Sequence, residues 1–437
     1  MKTIAIIAEY NPLHNGHLNQ INFIKQNFGD DTRIIVVMSG NFVQRGLPAC
    51  LDKYNRAELA IKNGISLVIE LPAVFASSSA SEFAKAAIKI ISSLEVVDEI
   101  VCGAENAKDF SLFKELTQII NSKNSSFEKN LKSHMRAGLN YGAARELSLK
   151  ELLPEKSKLI SEILNQSNNI LALEYLLAIE EENLLRRREA KSNLKIFFSN
   201  RSGKAENELQ FNDSEIASAT AIRNVLKDIL SLDAEMRDAQ IFQRLENQVP
   251  PTVLSKLIQS ERVKISSTYE KYEFLALSTI LSSTDEELSK YRDFNPNLIN
   301  RLKNTLENFL SSPRKTSSTQ IFNEAATRVF TLSRIRRAVL ARLLKIEDSS
   351  WQEIKSEGPA FINILAADKN GRYLLKLMRK LCTLPITVKN SDLLENLNNN
   401  INTSKIQQNI NLHADSLYKL LQGDFTEGIF AGYTFMQ

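Results

Sequence analysis

Residues 2–17 read Lys-Thr-Ile-Ala-Ile-Ile-Ala-Glu-Tyr-Asn-Pro-Leu-His-Asn-Gly-His. The first seven form a β-branched, nearly continuous apolar run, which is typical of a strand covered on both faces. A helical pattern follows from about Gly16 to Phe28, after a turn that Pro12 stiffens. This stretch therefore predicts a strand that leads directly into a helix, the opening unit of a parallel sheet.

The alternation of strand and helix continues to about residue 102. Short connections between such elements indicate parallel strands joined by right-handed helical crossovers. The predicted fold class is therefore α/β with a parallel sheet. The further predicted strands are Arg33–Met38, Leu67–Leu71 and Glu99–Cys102, and the helical stretches between them are Leu51–Asn63 and Ser79–Leu94.

Most of the remaining chain has a helical period. Residues 109–183 are helical in pattern, Leu194–Phe198 returns as a strand, and Ser218–Leu230 forms another helix. Beyond Pro250-Pro251 nearly every segment is helical, with breaks at prolines. We predict two domains: an α/β domain with a helical insertion over residues 1–240, and a mostly α-helical domain over residues 241–437.

The composition of the 437-residue chain excludes several classes of protein. With 43% hydrophobic and 24% charged residues it is typical of a globular protein. It has no apolar run of the roughly 18 residues that a membrane span needs. The short N-terminal apolar run meets Glu9 instead of a cleavage site, so we expect a cytoplasmic protein. Three widely spaced cysteines argue against a disulfide framework and a thiolate zinc site, and we predict no protein-held metal.

The strongest chemical signal is His14-Asn-Gly-His17, at the junction of the first strand and the first helix. Ligands of open parallel sheets bind beyond the carboxyl ends of the strands, where helix N-termini present free N–H groups. Gly16 allows the backbone to approach a phosphate, and histidines three residues apart can both face it. We predict a nucleotide site in which His14 and His17 stabilise charge on the phosphate oxygens.

A second signal is the stretch Ile216-Ala-Ser-Ala-Thr-Ala-Ile-Arg223. Ser218 is suited to be an N-cap, and Thr220 and Arg223 stand three residues apart on the opening turn of a helix. A helix N-terminus with hydroxyls and an arginine predicts a second phosphate clamp. A capped surface helix is the alternative interpretation of this stretch alone.

Two further strand ends offer polar groups. Gln44 and Arg45, after the second strand, would overhang the same crevice, and Lys53 opens the next helix. Gly103, after the fourth strand, would leave room for an adenine ring. A capped, solvent-facing loop is the alternative interpretation of the segment that contains Gln44, Arg45 and Lys53.

Together these motifs resemble the nucleotidyltransferase superfamily with HxGH and ISSTxIR-type signatures, and more narrowly the bacterial tRNA(Met) cytidine acetate ligase family. The resemblance implies a Rossmann-like nucleotidyltransferase domain of the HUP type, followed by a helical, tRNA-binding domain. It is carried by AEYNPLHNGH (Ala8–His17), SGNFVQRG (Ser39–Gly46), LVIELP (Leu67–Pro72), CGAE (Cys102–Glu105), NNIL (Asn168–Leu171), IASATAIR (Ile216–Arg223) and NGRYLL (Asn370–Leu375).

The enzyme that this resemblance implies is a tRNA-modifying ligase with a two-step reaction. Acetate attacks the α-phosphate of ATP, which gives acetyl-adenylate and pyrophosphate. N4 of the wobble cytidine (C34) of elongator tRNA(Met) then takes the acetyl group, which leaves N4-acetylcytidine and AMP. Mg²⁺ is expected to arrive with the triphosphate, because the sequence offers no dense carboxylate cluster to hold it.

The resemblance also implies an ATP site in which His14 and His17 lie on the phosphates. One asparagine of Asn168-Asn169 would complete the nucleotide pocket. The ATP-binding residues would be Ile7, Ala8, Glu9, Tyr10, Asn11, Pro12, Leu13, His14, Asn15, Gly16, His17, Leu18, Asn19, Gln20, Gly103, Asn168, Asn169, Arg201, Ser218, Thr220 and Arg223.

Arginine-rich segments and a net charge of +4 permit a tRNA partner without demanding one. One cluster ends a long helix, and a second lies on an amphipathic helix over residues 333–345, where Arg334 and Arg337 point away from the apolar stripe. Ordinary solvent-exposed helix faces would explain both arginine-rich segments equally well. The candidate substrate or tRNA contacts are Gln44, Arg45, Lys53, Arg186, Arg187, Arg188, Arg334 and Arg337.

Three other interpretations are open at this point. A small-molecule adenylyltransferase of cofactor biosynthesis needs little beyond the α/β domain, so the long helical region counts against it. A class I aminoacyl-tRNA synthetase would need a KMSKS motif where ASATAIR stands here. The third is an RNA-binding protein with an inactive nucleotide site, in which both histidines are ordinary loop residues.

Overall fold

The structure is a computed structural model that describes residues 1–122, 125–201, 216–229, 234–261, 265–311, 318–388, 402–423 and 434–435. Its strands are β1 (Thr3–Ala8), β2 (Arg33–Ser39), β3 (Phe42–Val43), β4 (Leu47–Pro48), β5 (Leu67–Leu71), β6 (Glu99–Ala104), β7 (Ile196–Asn200), β8 (Ile362–Ala367), β9 (Ile386–Thr387) and β10 (Thr434–Phe435).

The helices of the α/β half and its helical insertion are α1 (Asn15–Phe28), α2 (Lys53–Lys62), α3 (Ala73–Ala76), α4 (Ala80–Ser93), α5 (Phe110–Asn121), α6 (Ser125–Arg136), α7 (Tyr141–Leu152), α8 (Ser157–Leu164), α9 (Ser167–Arg188) and α10 (Ala219–Asp228). The later helices are α11 (Ala234–Leu245), α12 (Pro251–Glu261), α13 (Ile265–Ser282), α14 (Asp285–Ser289), α15 (Pro296–Leu310), α16 (Ser318–Ala325), α17 (Leu332–Leu343), α18 (Asp348–Glu357), α19 (Lys369–Leu381) and α20 (Asn402–Gln422). Within the described ranges, no helix has the length and apolar character to cross a membrane.

The sheet has the order β10-β8-β5-β2-β1-β6-β7, and β9 pairs with β8. Strands β5, β2, β1, β6 and β7 are parallel neighbours, as the strand–helix alternation predicts. Their carboxyl ends therefore lie along one edge, where the loops after β1, β2, β6 and β7 meet. The predicted α/β class with a mainly parallel sheet and a helical region after it is confirmed.

Successive residues of the central strands pack into cores on opposite faces of the sheet. Ile4 and Ile6 of β1 belong to a core with α1, α2 and α10, whereas Ala5 belongs to a core with α4, α9 and α20. Because both faces are covered, every position along the centre of the strand is apolar. This is the physical reason for the continuous run at the start of the chain.

The C-terminal region is not exclusively helical. β8 runs antiparallel to β5, and all six of its residues are buried. Periodicity alone does not distinguish a short, fully buried strand from a buried helix segment. For this reason β8 was not predicted from the sequence. The division at residue 240 stays a prediction, but the sheet draws strands from both sides of it.

A buried ion network joins three distant parts of the chain. Lys53, the first residue of α2, is 1% exposed, and its ammonium lies 2.9 Å from Glu70 Oε1 of β5 and 2.7 Å from Asp415 Oδ2 of α20. Asn41 donates to Asp415 Oδ1 at 2.9 Å and accepts from the backbone N–H of Lys53 at 2.7 Å. Although burial by itself lowers the pKa of Lys53, Asp415 and Glu70 raise it above its ordinary value. The prediction that Lys53 contacts a substrate or tRNA does not fit this enclosed, fully paired ammonium.

We expect Lys53→Met to lower the free energy of unfolding by about 3–5 kcal/mol, because it leaves Glu70 and Asp415 buried without a cation. Denaturant unfolding measures the loss. Lys85→Met is the matched control, since the pair of Lys85 with Glu181 is exposed and is worth about 0–1 kcal/mol. A Lys53→Met loss no larger than that of the control would contradict the role given to this network.

Candidate active site

Two imidazoles cap the first helix. His14 is the N-cap of α1, and its Nδ1 accepts from the backbone N–H of Gly16 at 3.0 Å. Nδ1 of His17 accepts from the backbone N–H of His14 at 3.2 Å, and the two ring centroids lie 3.8 Å apart. A Cβ on Gly16 would lie 2.8 Å from Cε1 of His14, so the cap requires glycine. Because both Nδ1 atoms are acceptors, each neutral ring carries its proton on Nε2.

Both histidines are neutral at physiological pH. Burial first, and then the charges of Arg201 and Arg223, lower the pKa of His14 to about 3. Burial, His14 and Arg201 lower the pKa of His17 well below its ordinary value. The pair therefore offers Nε2–H donors and no cations. Nε2 of His14 is buried and has no partner among the described residues, which leaves a donor for a ligand oxygen.

The second motif meets the first directly. Arg223 of α10 donates from Nη1 to the backbone oxygen of Asn11 at 2.6 Å and from Nη2 to Oγ1 of Thr220 at 3.0 Å. Ser218 is the N-cap of α10 and accepts from the backbone N–H of Ala221 at 3.2 Å. The N-terminal turns of α1 and α10 therefore converge on one place, with an arginine fixed between them. Two such helix ends favour an anionic ligand.

A third group of predicted residues lies at the ends of β6 and β7. Nη1 of Arg201 donates to Oδ1 of Asn168 at 2.7 Å, and Nδ2 of Asn168 donates to Oε1 of Glu105 at 2.6 Å. Cδ of Arg201 lies 3.8 Å from where a Cβ on Gly103 would be. This chain of contacts holds Asn168 and Arg201 over the backbone of Gly103. The space is suited to a flat base next to a glycine.

These elements enclose one cleft of about 340 Å³, a size typical of small-molecule sites. It lies at the carboxyl edge of the sheet, as expected for an open parallel sheet. The predicted residues that line it are Ile7, Ala8, Glu9, Tyr10, Asn11, Gly16, His17, Asn19, Gln20, Gln44, Arg45, Gly103, Asn168, Arg201, Arg223 and Arg337.

The remaining predicted ATP ligands are not among the residues that line the cleft. Leu13 is part of the hydrophobic core, and the side chain of Asn15 donates to the backbone oxygen of Asn247 at 2.8 Å. Asn169 is fully buried and donates to Oδ1 of Asn106 at 2.9 Å. Leu13, Asn15 and Asn169 therefore shape the site from behind. The set outside the lining is Pro12, Leu13, His14, Asn15, Leu18, Asn169, Ser218 and Thr220.

Three of the predicted basic residues do not fit a tRNA contact beside this cleft. Arg186 is buried, and it donates to the backbone oxygen of Ser192 at 2.6 Å and lies 3.1 Å from Glu95. Arg187 and Arg188 are exposed, but they lie at the far end of α9, roughly 30 Å along the helix from Asn168. Arg186 therefore stabilises the fold.

The other basic candidates lie at or beside the cleft. Arg45 and Arg337 line it. Arg334 is half-buried, and its guanidinium carbon lies 5.1 Å from the ring centroid of Phe330, one turn of α17 before Arg337. Gly46 brings the loop after β2 against α17, because a Cβ there would lie 2.6 Å from the backbone of Arg336 and Arg337.

Sequence reasoning missed the helical walls of the cleft. Apolar positions on a helix look alike whether they face a core or a ligand, so periodicity offers no signal for them. Ser333 of α17 and the β7 residues Ser199 and Asn200 are single polar positions without a motif. The missed lining residues are Ala80, Phe83, Cys102, Ser167, Ile170, Leu171, Tyr175, Ser199, Asn200, Ala219 and Ser333.

A family model described as HIGH Nucleotidyl Transferase matches residues 1–428. The chain belongs to this family. Among its relatives is the tRNA(Met) cytidine acetate ligase of Caldanaerobacter subterraneus subsp. tengcongensis, 32% identical over 393 residues that cover 89% of each chain. The tRNA(Met) cytidine acetate ligase of Clostridium tetani is 30% identical over 427 residues, which cover 97% of this chain and 99% of the relative. The protein is thus a HIGH nucleotidyltransferase of the tRNA(Met) cytidine acetate ligase family, as its motifs predict.

Solved structures agree with this assignment. Apo TmcAL of Thermotoga maritima (form I) superposes with a TM-score of 0.82 at 27% identity and covers 97% of this chain and 96% of its own. The form of that protein bound with alpha-thio ATP has a TM-score of 0.81 at 26% identity, with the same coverage. The family fold therefore extends through the helical region.

The lowered pKa of His14 predicts a stability change in acid. The unfolded histidine gains a proton as the pH falls below about 6.5, whereas the folded one resists protonation to about pH 3, so stability is lost across this window. His14→Asn keeps a capping side chain and removes this titration. We expect the free energy of unfolding of His14→Asn to fall less steeply than that of the wild-type protein between pH 6 and pH 4. The two slopes should differ by about 1 kcal/mol per pH unit.

Urea unfolding of the wild-type protein and of His14→Asn at several pH values measures how steeply each free energy of unfolding changes with pH. Other groups that titrate in this range are common to both proteins and cancel in the difference. Parallel slopes would contradict a buried, neutral His14.

Proposed function

We propose that this protein is an ATP-dependent acetate ligase that modifies tRNA. Acetate and ATP form acetyl-adenylate and pyrophosphate, and N4 of the wobble cytidine (C34) of elongator tRNA(Met) takes the acetyl group, which gives N4-acetylcytidine and AMP. The observation that carries the proposal is the contact of Arg223 with the backbone of Asn11, which unites both phosphate-binding motifs in one cleft. The relatives named tRNA(Met) cytidine acetate ligase support the choice of substrates.

Charge stabilisation at the α-phosphate is the main task of the site in the first step. An acetate oxygen attacks the α-phosphorus, and the bond to the bridging oxygen of pyrophosphate breaks. Nε2–H of His17, with His14 beside it, donates to the phosphate oxygens, and Arg223 adds a fixed cation. Acetate is already a nucleophilic anion at neutral pH, so neutral histidines suffice and no general base is needed.

The base of ATP would lie between Gly103 and the Asn168–Arg201 pair, on the side of β6 and β7. Mg²⁺ would arrive on the triphosphate and neutralise part of its charge. Among the described residues, no group of three side chains is arranged to hold a metal ion.

The tRNA would approach over Arg45 and Arg337, with Arg334 on the adjoining turn. Residues 241–437 would supply this surface as the tRNA-binding region, because α17 carries both Arg334 and Arg337. Arginines contact phosphates and stack on bases, both of which suit an anticodon loop. A cytoplasmic location follows from the proposed substrates, ATP and tRNA.

The direct test is to incubate the purified protein with ATP, Mg²⁺, labelled acetate and elongator tRNA(Met), and to digest the RNA. We expect labelled N4-acetylcytidine, together with acetate-dependent formation of AMP. A tRNA with uridine at position 34 is the control, because it lacks the amine. Label in a small-molecule dinucleotide, or no acetate-dependent AMP, would favour the adenylyltransferase interpretation or an inactive site.

His17→Ala tests the donor role of the cleft imidazole. Loss of one transition-state donor lowers turnover about 100- to 1,000-fold, so we expect acetate-dependent AMP formation to fall by this amount. Circular dichroism and tRNA binding should stay unchanged. His134→Ala is the matched control, because His134 lies on α6 and pairs with Glu151 outside the cleft. Wild-type turnover by His17→Ala would refute the site.

A further inference from the structure

One carboxylate lines a cleft that is otherwise cationic. Of the described residues at the cleft surface, Glu9 alone is acidic, whereas Arg45, Arg201, Arg223 and Arg337 are basic. A carboxylate facing a triphosphate is repelled by it, so ATP binding does not explain this residue. Glu9 therefore calls for a ligand of another kind.

The backbone and the side chain of Glu9 are both fixed. Nη1 of Arg56 donates to the backbone oxygen of Glu9 at 2.6 Å, and Arg56 itself is 1% exposed. Oε1 of Glu9 accepts from the backbone N–H of Gln44 at 2.9 Å. The carboxylate thus has a defined position, with Oε2 not used in this contact.

Glu9 lies on the side of the cleft away from the adenine pocket. In the sheet, β2 is the neighbour of β1 on one side and β6 on the other. The loop after β2 supplies Gln44, the anchor of Glu9, whereas Gly103 belongs to β6 and Arg201 follows β7. The carboxylate therefore lies toward the β2 side of the cleft, where Gly46 of the same loop packs against α17.

The cleft has an apolar wall and donors that lack a protein partner within the described part of the chain. Phe83, Leu171 and Tyr175 line it, and burial first, then Cys102 and the carboxylate of Glu9, raise the pKa of Tyr175. Nε2 of Gln44 and Nε of Arg337 are buried and have no partner among the described residues. A cleft donor without a protein partner is available to a ligand.

The required ligand is planar and carries a hydrogen-bond donor next to an acceptor. The Watson–Crick edge of cytosine has this pattern, with the N4 amine as donor and N3 and O2 as acceptors. Uracil presents the opposite pattern, and its O4 would face a carboxylate. Acetate has no donor to offer Glu9.

We propose that Glu9 and Gln44 form the subsite for the cytosine that receives the acetyl group. The Glu9 carboxylate accepts from N4, and the Gln44 amide donates to N3 or O2. This assignment rests on the proposed function and adds the acceptor-binding residues to it.

The position of Glu9 also suits the proton transfer of the second step. The lone pair of N4 attacks the carbonyl carbon of acetyl-adenylate, and the bond from that carbon to the phosphate oxygen breaks. AMP leaves with the electron pair. The proton that N4 loses passes to the Glu9 carboxylate and then to water, which restores the carboxylate.

Glu9→Gln tests this subsite, because the amide oxygen still accepts from Gln44 while the base is lost. The first step is measured as acetate-dependent exchange of labelled pyrophosphate into ATP, in the presence of tRNA with uridine at position 34. The second is measured as acetylation of elongator tRNA(Met). We expect acetylation to fall at least 100-fold and exchange to fall less than threefold, with Glu9→Asp in between for acetylation.

Glu105→Gln is the matched control on the adenine side. Glu105 holds Asn168 at 2.6 Å, so its loss should raise the KM for ATP in the exchange reaction. The two variants are therefore expected to affect different steps.

Three results separate the possibilities. If Glu9→Gln loses exchange and acetylation equally, or needs more Mg²⁺ or acetate for exchange, Glu9 serves the first step and the assignment fails. If it acetylates tRNA at the wild-type rate, the assignment also fails. If the wild-type protein shows no acetate-dependent exchange, the proposed function itself is wrong.

Discussion

The ammonium of Lys53 ties the two halves of the chain together in the buried interior. Its carboxylate partners come from β5 and from α20, more than 360 positions away in sequence, and Asn41 bonds to the same network from the loop after β2. Removal of one partner from a buried ion pair is strongly destabilising, because it leaves the other partner as an unpaired charge in an apolar core. The helical region therefore cannot separate from the sheet without breaking this network.

The loop that Asn41 anchors goes on to build the cleft. Gln44 follows three residues later and holds Glu9, and Gly46 packs against the backbone of α17. Tyr272 of α13 donates its hydroxyl proton to the backbone oxygen of Gly46 at 2.7 Å. One short segment thus connects the end of β1 to α13 and to α17, the helix that carries Arg337. The position of Gln44 and Glu9 depends on the C-terminal helices as well as on the sheet.

The parts of the fold that follow from local pattern were predictable from the sequence. β5 has the predicted bounds, and α1 begins within one residue of its prediction, because burial on both faces and the Gly16 turn are local properties. β8 and Lys53 were not predictable in the same way, since each depends on partners far along the chain. A lysine at a helix start looks solvent-exposed until Asp415 is placed beside it. The cleft helices gave no signal, because Phe83 and Tyr175 have the spacing of core residues.

The charge arrangement of the cleft explains how one site can serve two opposite chemical demands. The adenylation step needs a positive field around an anionic phosphorus, and the arginines and helix ends provide it without a titrating group, since both histidines are held neutral. The transfer step needs a proton acceptor at a weakly basic amine, which a cationic field alone would disfavour. In the proposed mechanism, Glu9 acts on the β2 side of the cleft, whereas the α-phosphate lies beside the histidines and Arg223. Such a separation of charge would allow both steps to share one intermediate.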